Sequence, residues 1–132
     1  MKNRYRLTCF AAACALLAGC AGTNPFAKAP EPELSAARKE TNAGIALYNA
    51  GDYAGAIKQL GTASAIWKGE KPVQLEALKY MAFSYCLTSR PVPCKQRFEQ
   101  ALKLDPAFDL APGEKGHPLW DPVFDKAKKE HR

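Results

Sequence analysis

The sequence has few of the residues and motifs on which catalysis depends. Two of its 132 residues are histidine, and it contains neither a glycine-rich phosphate loop nor a Gly-x-Ser-x-Gly nucleophile motif. His117 has acidic residues near it in the sequence, but a metal site needs two or more ligands that converge with suitable spacing. Because His117 lies in a rigid Gly-His-Pro turn, we expect it to make a structural hydrogen bond. We therefore expect no enzyme activity, no cofactor, no metal and no small-molecule substrate.

A continuous basic stripe, which nucleic-acid-binding proteins carry, is also missing. The chain has 19 Lys and Arg against 13 Asp and Glu, a net charge of +6, and three of the basic residues lie within Met1–Arg6. Without those three the net charge is +3, with no clustering. The one local excess, in Lys126–Arg132, is interrupted by Glu130. We expect a solvated helix end there and no nucleic-acid partner.

The uncharged stretch Leu7–Ala18 is too short to cross a membrane. Its 12 residues would rise about 18 Å as a helix, against about 30 Å of hydrocarbon core. Basic residues precede it and small residues follow it, which predicts a secretory signal. It leads into Leu17-Ala18-Gly19-Cys20, which resembles a bacterial lipobox. The resemblance implies that residues 1–19 are removed and that Cys20 is acylated; an ordinary signal with a coincidental cysteine is the alternative.

The lipobox resemblance also implies a location. Ala21, not Asp, follows Cys20, and in lipoproteins of diderm bacteria this implies sorting to the outer membrane. We expect a lipid-anchored protein that faces the periplasm or the cell surface, since two or three acyl chains anchor stably. Residues 20–32 contain three prolines and a glycine, which predicts a flexible, lipidated tether before the folded part.

An internal repeat predicts the fold. Gly44, Ala56 and Ala63 are spaced 12 and 7 residues apart, and small residues with the same spacing recur 38 residues later. The second set consists of Ala82, Cys94 and Ala101. Together with a Gly51-Asp52 turn, these residues resemble a tetratricopeptide repeat, a helix-turn-helix unit of about 34 residues. A plain four-helix arrangement is the alternative.

The repeat implies an all-α fold with two tetratricopeptide-like helical hairpins over residues 33–106. A C-terminal loop and capping helix follow over 107–132. The predicted helices span residues 33–49, 53–67, 72–88, 92–104 and 122–131. Since two repeats leave apolar ends uncovered, five C-terminal residues are expected to pack on the fourth helix, or else to be left for a partner. These are Phe108, Leu110, Leu119, Trp120 and Phe124.

Two cysteines remain beyond the predicted signal and lipid site. Cys86 and Cys94 flank a turn between the third and fourth helices, in a compartment that oxidises thiols. Antiparallel helices that meet at a turn can bring two Cα atoms within disulfide distance. We expect a structural disulfide; two buried free thiols or a reactive redox pair are the alternatives.

The first helix of each hairpin lines the concave side of such arrays, where partners bind. Helical spacing places four residues on one side of the first helix, and Glu76, Lys79 and Phe83 on one side of the third. The four are Arg38, Asn42, Ile45 and Asn49. We expect this face to bind an extended peptide or a partner helix. The alternative is that Ile45 and Phe83 belong to the core.

Four segments together resemble a narrower family, the TssQ-type lipoproteins associated with type VI secretion. They are Phe83–Arg90, Cys94-x-x-x-Phe98, Leu104–Pro112 and Gly116–Trp120. The resemblance implies an accessory protein that docks another component of the secretion complex and has no catalytic residues. A pilotin-like or envelope-assembly lipoprotein, which guides a secretin, a pilus protein or an outer-membrane component, is the alternative.

Overall fold

The computed structural model describes residues 32–132, with side chains from residue 36 onwards. Every regular element in this range is an α-helix, so the predicted all-α class is confirmed. No helix of this range is long and apolar enough to cross a membrane. The predicted signal peptide, Cys20 and the tether up to residue 31 lie outside the described residues. The helices are α1 Pro32–Asn49, α2 Tyr53–Thr62, α3 Ser64–Lys68, α4 Lys71–Leu87, α5 Pro91–Leu104 and α6 Asp121–His131.

The helices pack as two hairpins followed by a capping helix. α1 packs against α2 and α3, α4 packs against α5, and both α1 and α2 contact α4. Five of the six small repeat residues are fully buried, and Ala63 is half-buried. At Gly44 the side chain of Leu60 occupies the space that a Cβ would need. The small residues therefore allow the close helix approach that the repeat pattern predicts.

The turn between α1 and α2 has the conformation that Gly51 and Asp52 predict. Gly51 takes a positive φ of 81°, which costs glycine little and other residues more. Asp52 then caps α2, because its Oδ1 accepts a hydrogen bond from the Gly55 amide at 2.8 Å.

The helix predicted over 53–67 is wrong in one respect, since it breaks at Ala63. Ala63 has ψ of 100°, and its carbonyl accepts the Ile66 amide to start α3 in a new direction. The break buries Ile66 in the core. It also brings the end of α3 against α1, where a Cβ on Gly69 would lie 2.8 Å from that of Ala37. Burial of Ile66 thus outweighs the helical preference of the local sequence.

The C-terminal residues cover the end of the second hairpin. Phe124 of α6 is buried and packs edge-on against Phe98 of α5, with ring centroids 5.0 Å apart, and against Phe108 at 5.8 Å. Leu110 and Trp120 are also buried. Leu119 is 49% exposed, so its predicted place in the cap is wrong: the turn into α6 directs Trp120, and not its neighbour, into the core.

A disulfide joins the two helices of the second hairpin. Cys86 and Cys94 have Cα atoms 5.3 Å apart and Sγ atoms 2.07 Å apart, as the sequence predicts. Between them Ser89 takes a positive φ of 58°, which is uncommon for a residue with a side chain. The bond therefore holds a tight turn in a conformation that the chain rarely adopts by itself.

Reducing this disulfide is expected to lower the free energy of unfolding by about 2–3 kcal/mol, because the bond closes a short loop of the unfolded chain. Urea denaturation of the oxidised and reduced protein measures the difference. Equal midpoints in the two states would contradict the structural role.

Candidate functional site

The segment between α5 and α6, residues 105–120, runs along the side of α4 that the sequence predicts to bind a partner. At its end the Trp120 ring stacks on the ring of Phe83, with centroids 4.2 Å apart and planes 26° apart. Phe83 also meets Phe98 edge-on at 6.1 Å and is only 2% exposed. The prediction that Phe83 contacts a partner is therefore wrong, because the chain's own tryptophan covers it. We call residues 105–120 the cover segment.

Polar contacts fix the cover segment to α4. The Trp120 indole nitrogen donates to the Glu114 carbonyl at 2.8 Å. The Glu114 carboxylate accepts the Ala111 amide at 2.9 Å and pairs with the Lys79 ammonium at 2.6 Å. Lys79 and Glu114 are both about four-fifths buried, where an ion pair is less screened than at the surface. Lys79, predicted to contact a partner, thus holds the chain's own segment.

His117 supports the same tryptophan. Its ring lies parallel to that of Trp120, with centroids 3.4 Å apart. Its Nδ1 accepts a hydrogen bond from the Leu119 amide at 3.2 Å. Among residues 36–132, no three His, Cys, Asp or Glu side chains gather where they could hold a metal ion. The contacts of His117 are those of a structural residue.

Asp109 ties the cover segment to itself and to α6. Its carboxylate accepts from the Lys115 ammonium at 2.6 Å, from the Leu110 amide at 2.9 Å and from the Lys128 ammonium at 3.4 Å. The hydrogen bond from Lys115 is the largest cause that lowers the pKa of the Asp109 carboxyl below its ordinary value. Asp109 therefore joins the cover segment to α6 through Lys128 and closes it on itself through Lys115.

The cover segment leaves a groove between itself and α1, with α4 as its floor. This inner groove has a volume of about 410 Å³, within the range of about 300–1,000 Å³ typical of ligand pockets. It combines an apolar floor with charged groups at its edges. Its lining residues are Arg38, Pro72, Leu75, Glu76, Lys79, Phe108, Asp109, Leu110 and Ala111.

Each charged residue of the inner groove has an oppositely charged partner within the chain. Arg38 of α1 pairs with Glu76 of α4 across the groove, Lys79 pairs with Glu114, and Asp109 with Lys115. An occupant would therefore meet apolar contacts and compensated ion pairs, with no excess of either charge. A polypeptide segment with small or apolar side chains fits that chemistry better than a charged ligand.

The other predicted contact residues lie on α1 outside the groove lining. Asn42 and Asn49 are exposed and Ile45 is half-buried. Of the seven residues predicted on this face, the structure brings Arg38, Glu76 and Lys79 to the inner groove. Asn42, Ile45 and Asn49 are left on the neighbouring surface of α1, available to extend a contact beyond it.

Sequence reasoning missed the floor and one wall of the groove. Leu75 lines the floor, and its place follows from Lys79, which lies four residues further along the same helix and therefore on the same face. The wall of residues 108–111 reaches α4 through long-range contacts, the stacking of Trp120 on Phe83 and the Lys79–Glu114 ion pair, which no local pattern marks.

An aromatic cluster continues from the inner groove toward the end of α1. Tyr48 packs against Tyr80 at 5.0 Å, Tyr53 at 5.6 Å and Phe83 at 6.3 Å between ring centroids. Burial is the main cause that raises the pKa of Tyr48 to about 12. The cluster joins the first hairpin to the second and so fixes the spacing between α1 and α4.

Comparisons with models of known protein families, with curated proteins and with solved structures found no match to this chain. The resemblance to TssQ-type lipoproteins therefore stays a prediction.

Replacement of Trp120 by alanine is expected to release the cover segment. The free energy of unfolding should fall by about 3–5 kcal/mol, as for other buried aromatic residues, and amide hydrogen exchange over residues 105–119 should accelerate. Leu119→Ala, one residue away and half exposed, is the matched control and should change stability by less than about 0.5 kcal/mol. Unchanged exchange in Trp120→Ala would show that the segment is held by other contacts.

The Asp109 carboxyl is expected to titrate below the ordinary aspartate range in a carbon-13 NMR experiment. Because folding lowers this pKa, the ionised carboxylate stabilises the fold above its ordinary pKa, and that contribution is lost as pH falls through the lowered value. Lys115→Gln should raise the pKa of Asp109 more than Lys128→Gln, since Lys115 makes the shorter contact. A larger effect of Lys128→Gln would reverse this assignment.

Proposed function

We propose that the protein is an outer-membrane-anchored lipoprotein that faces the periplasm and acts as an accessory, protein-binding factor of a type VI secretion system. The observation that carries the binding role is the inner groove, which the fold leaves open between α1 and the cover segment and which has an apolar floor between paired charges. The lipobox-like sequence supports the anchor, and the resemblance to TssQ-type lipoproteins supports the system.

The shape of the inner groove favours an extended segment over a helix. A partner helix needs a long apolar trough with anchors three and four residues apart. Here the Arg38–Glu76 ion pair crosses the groove, and Phe108–Ala111 form a wall along it. A single extended strand of a partner fits between them, with one or two side chains on Leu75.

The anchor and the groove serve one purpose in this proposal. Acyl chains on Cys20 would hold the protein at the membrane, and a tether of about a dozen residues could extend about 30 Å or more. The domain could then bind its partner some distance from the bilayer without leaving the membrane. The protein would in this way position a secretion-complex component near the outer membrane.

The anchor is tested by Cys20→Ser in the native organism. The wild-type protein should incorporate labelled palmitate and sediment with outer membranes, whereas Cys20→Ser should do neither, because it lacks the acylated thiol. Labelling of Cys20→Ser equal to that of the wild type would disprove the lipid site.

The partner is tested by photo-crosslinking in living cells, with benzoylphenylalanine at Leu75 in the inner groove. Lys129, exposed on α6, carries the crosslinker in the control. An adduct with a type VI secretion component from Leu75 and not from Lys129 is the expected result. An adduct with a secretin or pilus component would instead support a pilotin-like role, and no adduct specific to Leu75 would contradict binding in this groove.

A further inference from the structure

A second groove lies on a neighbouring side of α4. Leu78 and Met81 form its floor, and by helical rotation they point on average about a third of a turn away from Leu75 and Lys79 of the inner groove. Trp67 of α3 stands at one side of this outer groove. Arg97, Gln100 and Leu104, one turn apart along α5, stand at the other, and the groove holds about 420 Å³.

Arg97 is the one charged residue of the outer groove, and its hydrogen bonding is incomplete. One terminal nitrogen donates to the Gln100 side-chain oxygen at 2.8 Å, and the guanidinium lies over the Tyr85 ring at 5.9 Å. Its Nε is buried and has no hydrogen-bond partner. Within the described part of the chain, no carboxylate lies within ion-pair distance of it.

This lack of a counter-charge is unfavourable for the free protein and favourable for a ligand. A buried N–H of a cation without an acceptor costs free energy, and an anion placed on the same guanidinium offsets part of that cost. Arginine binds carboxylates with paired, charge-assisted hydrogen bonds. The exposed nitrogens of Arg97 are therefore suited to an incoming carboxylate.

Two other clefts of the described domain include carboxylates in their lining. The inner groove carries Glu76 and Asp109 beside its cations, and the cleft between α5 and α6 carries Glu99 beside Lys95 and Lys126. A further cleft has Lys68 and no carboxylate, but it holds only about 180 Å³, and Lys68 is exposed. The lining of the outer groove contains Arg97 and no carboxylate. Its apolar floor and single positive charge favour a ligand that has an apolar group next to an acidic group.

We propose that the outer groove binds an acidic segment of a partner protein. An apolar side chain of that segment lies between Trp67 and Leu104, above the buried Leu78 and Met81, and a neighbouring Asp or Glu carboxylate binds the Arg97 guanidinium. This inference extends the proposed function, in which the domain binds a polypeptide, by adding a second site with its own chemistry. The protein can then hold two segments at once, one in each groove.

The test uses the full-length protein in detergent and two fluorescein-labelled peptides, Gly-Ser-Leu-Leu-Asp-Leu-Ser-Gly and the same peptide with Asn for Asp. Fluorescence anisotropy should show saturable binding of the Asp peptide and about tenfold weaker binding of the Asn peptide. Binding of the Asp peptide should weaken as salt is added, because ions screen the pair. Equal binding of the two peptides, or no binding of either, would overturn the proposal.

Arg97→Gln should abolish the preference for the Asp peptide, and Arg97→Lys should keep part of it. Arg90→Gln is the matched control: Arg90 also lies over the Tyr85 ring, at 4.8 Å, but outside the outer groove. It should leave the preference intact. Equal effects of Arg97→Gln and Arg90→Gln would assign the effect to Tyr85 and overturn the site.

A measurement on the unmodified protein covers the case in which Arg97→Gln fails to fold. The NMR signal of the Arg97 Nε–H group should shift on addition of the Asp peptide, and an unmoved signal would overturn the proposal. Crosslinking from Leu75 is independent of this site, so Arg97→Gln should leave that adduct unchanged. In the unmodified protein, absence of the Leu75 adduct alone would contradict the inner groove, and absence of a preference for the Asp peptide alone would contradict the outer one.

Discussion

The stacking of Trp120 on Phe83 is the contact on which the functional surface of this domain depends. It carries the cover segment across α4 and places Glu114 where it can pair with Lys79. Longer helical repeat arrays have an open concave face. Here the cover segment lies over part of that face and leaves a narrow groove, with α1 as one wall and the cover segment as the other. The two hairpins alone would leave Phe83 exposed, which is costly for a large aromatic ring. The same contact thus completes the core and shapes the inner groove.

α4 organises the rest of the domain because it is covered on most sides. It contacts α1, α2, α3 and α5, and two grooves remain along it. In the inner groove every charge has a partner from the chain itself, so apolar contact decides what binds. In the outer groove Arg97 has no carboxylate partner from the described part of the chain, so charge as well as apolar contact decides which segment binds there. The two grooves therefore select different partners while sharing one rigid helix.

Local signals in the sequence were enough to predict the helices, the Gly51-Asp52 turn and the pairing of Cys86 with Cys94. These features depend on neighbours along the chain, which spacing reveals. The break at Ala63 and the burial of Phe83 depend on residues distant in sequence, and no local pattern marks them. The lack of an ion-pair partner for Arg97 is likewise a long-range feature, because it depends on which carboxylates the fold brings near the guanidinium. The site was therefore predicted only in part, through Arg38, Glu76 and Lys79.

The most direct test of this account is a measurement of nuclear Overhauser effects from the Trp120 ring in the oxidised protein. The account predicts cross-peaks to the Phe83 and His117 rings, together with slow solvent exchange of the Trp120 indole proton, which is hydrogen-bonded to the Glu114 carbonyl. A rapidly exchanging indole proton with no cross-peak to Phe83 would show that the cover segment does not lie on α4, and would contradict the account.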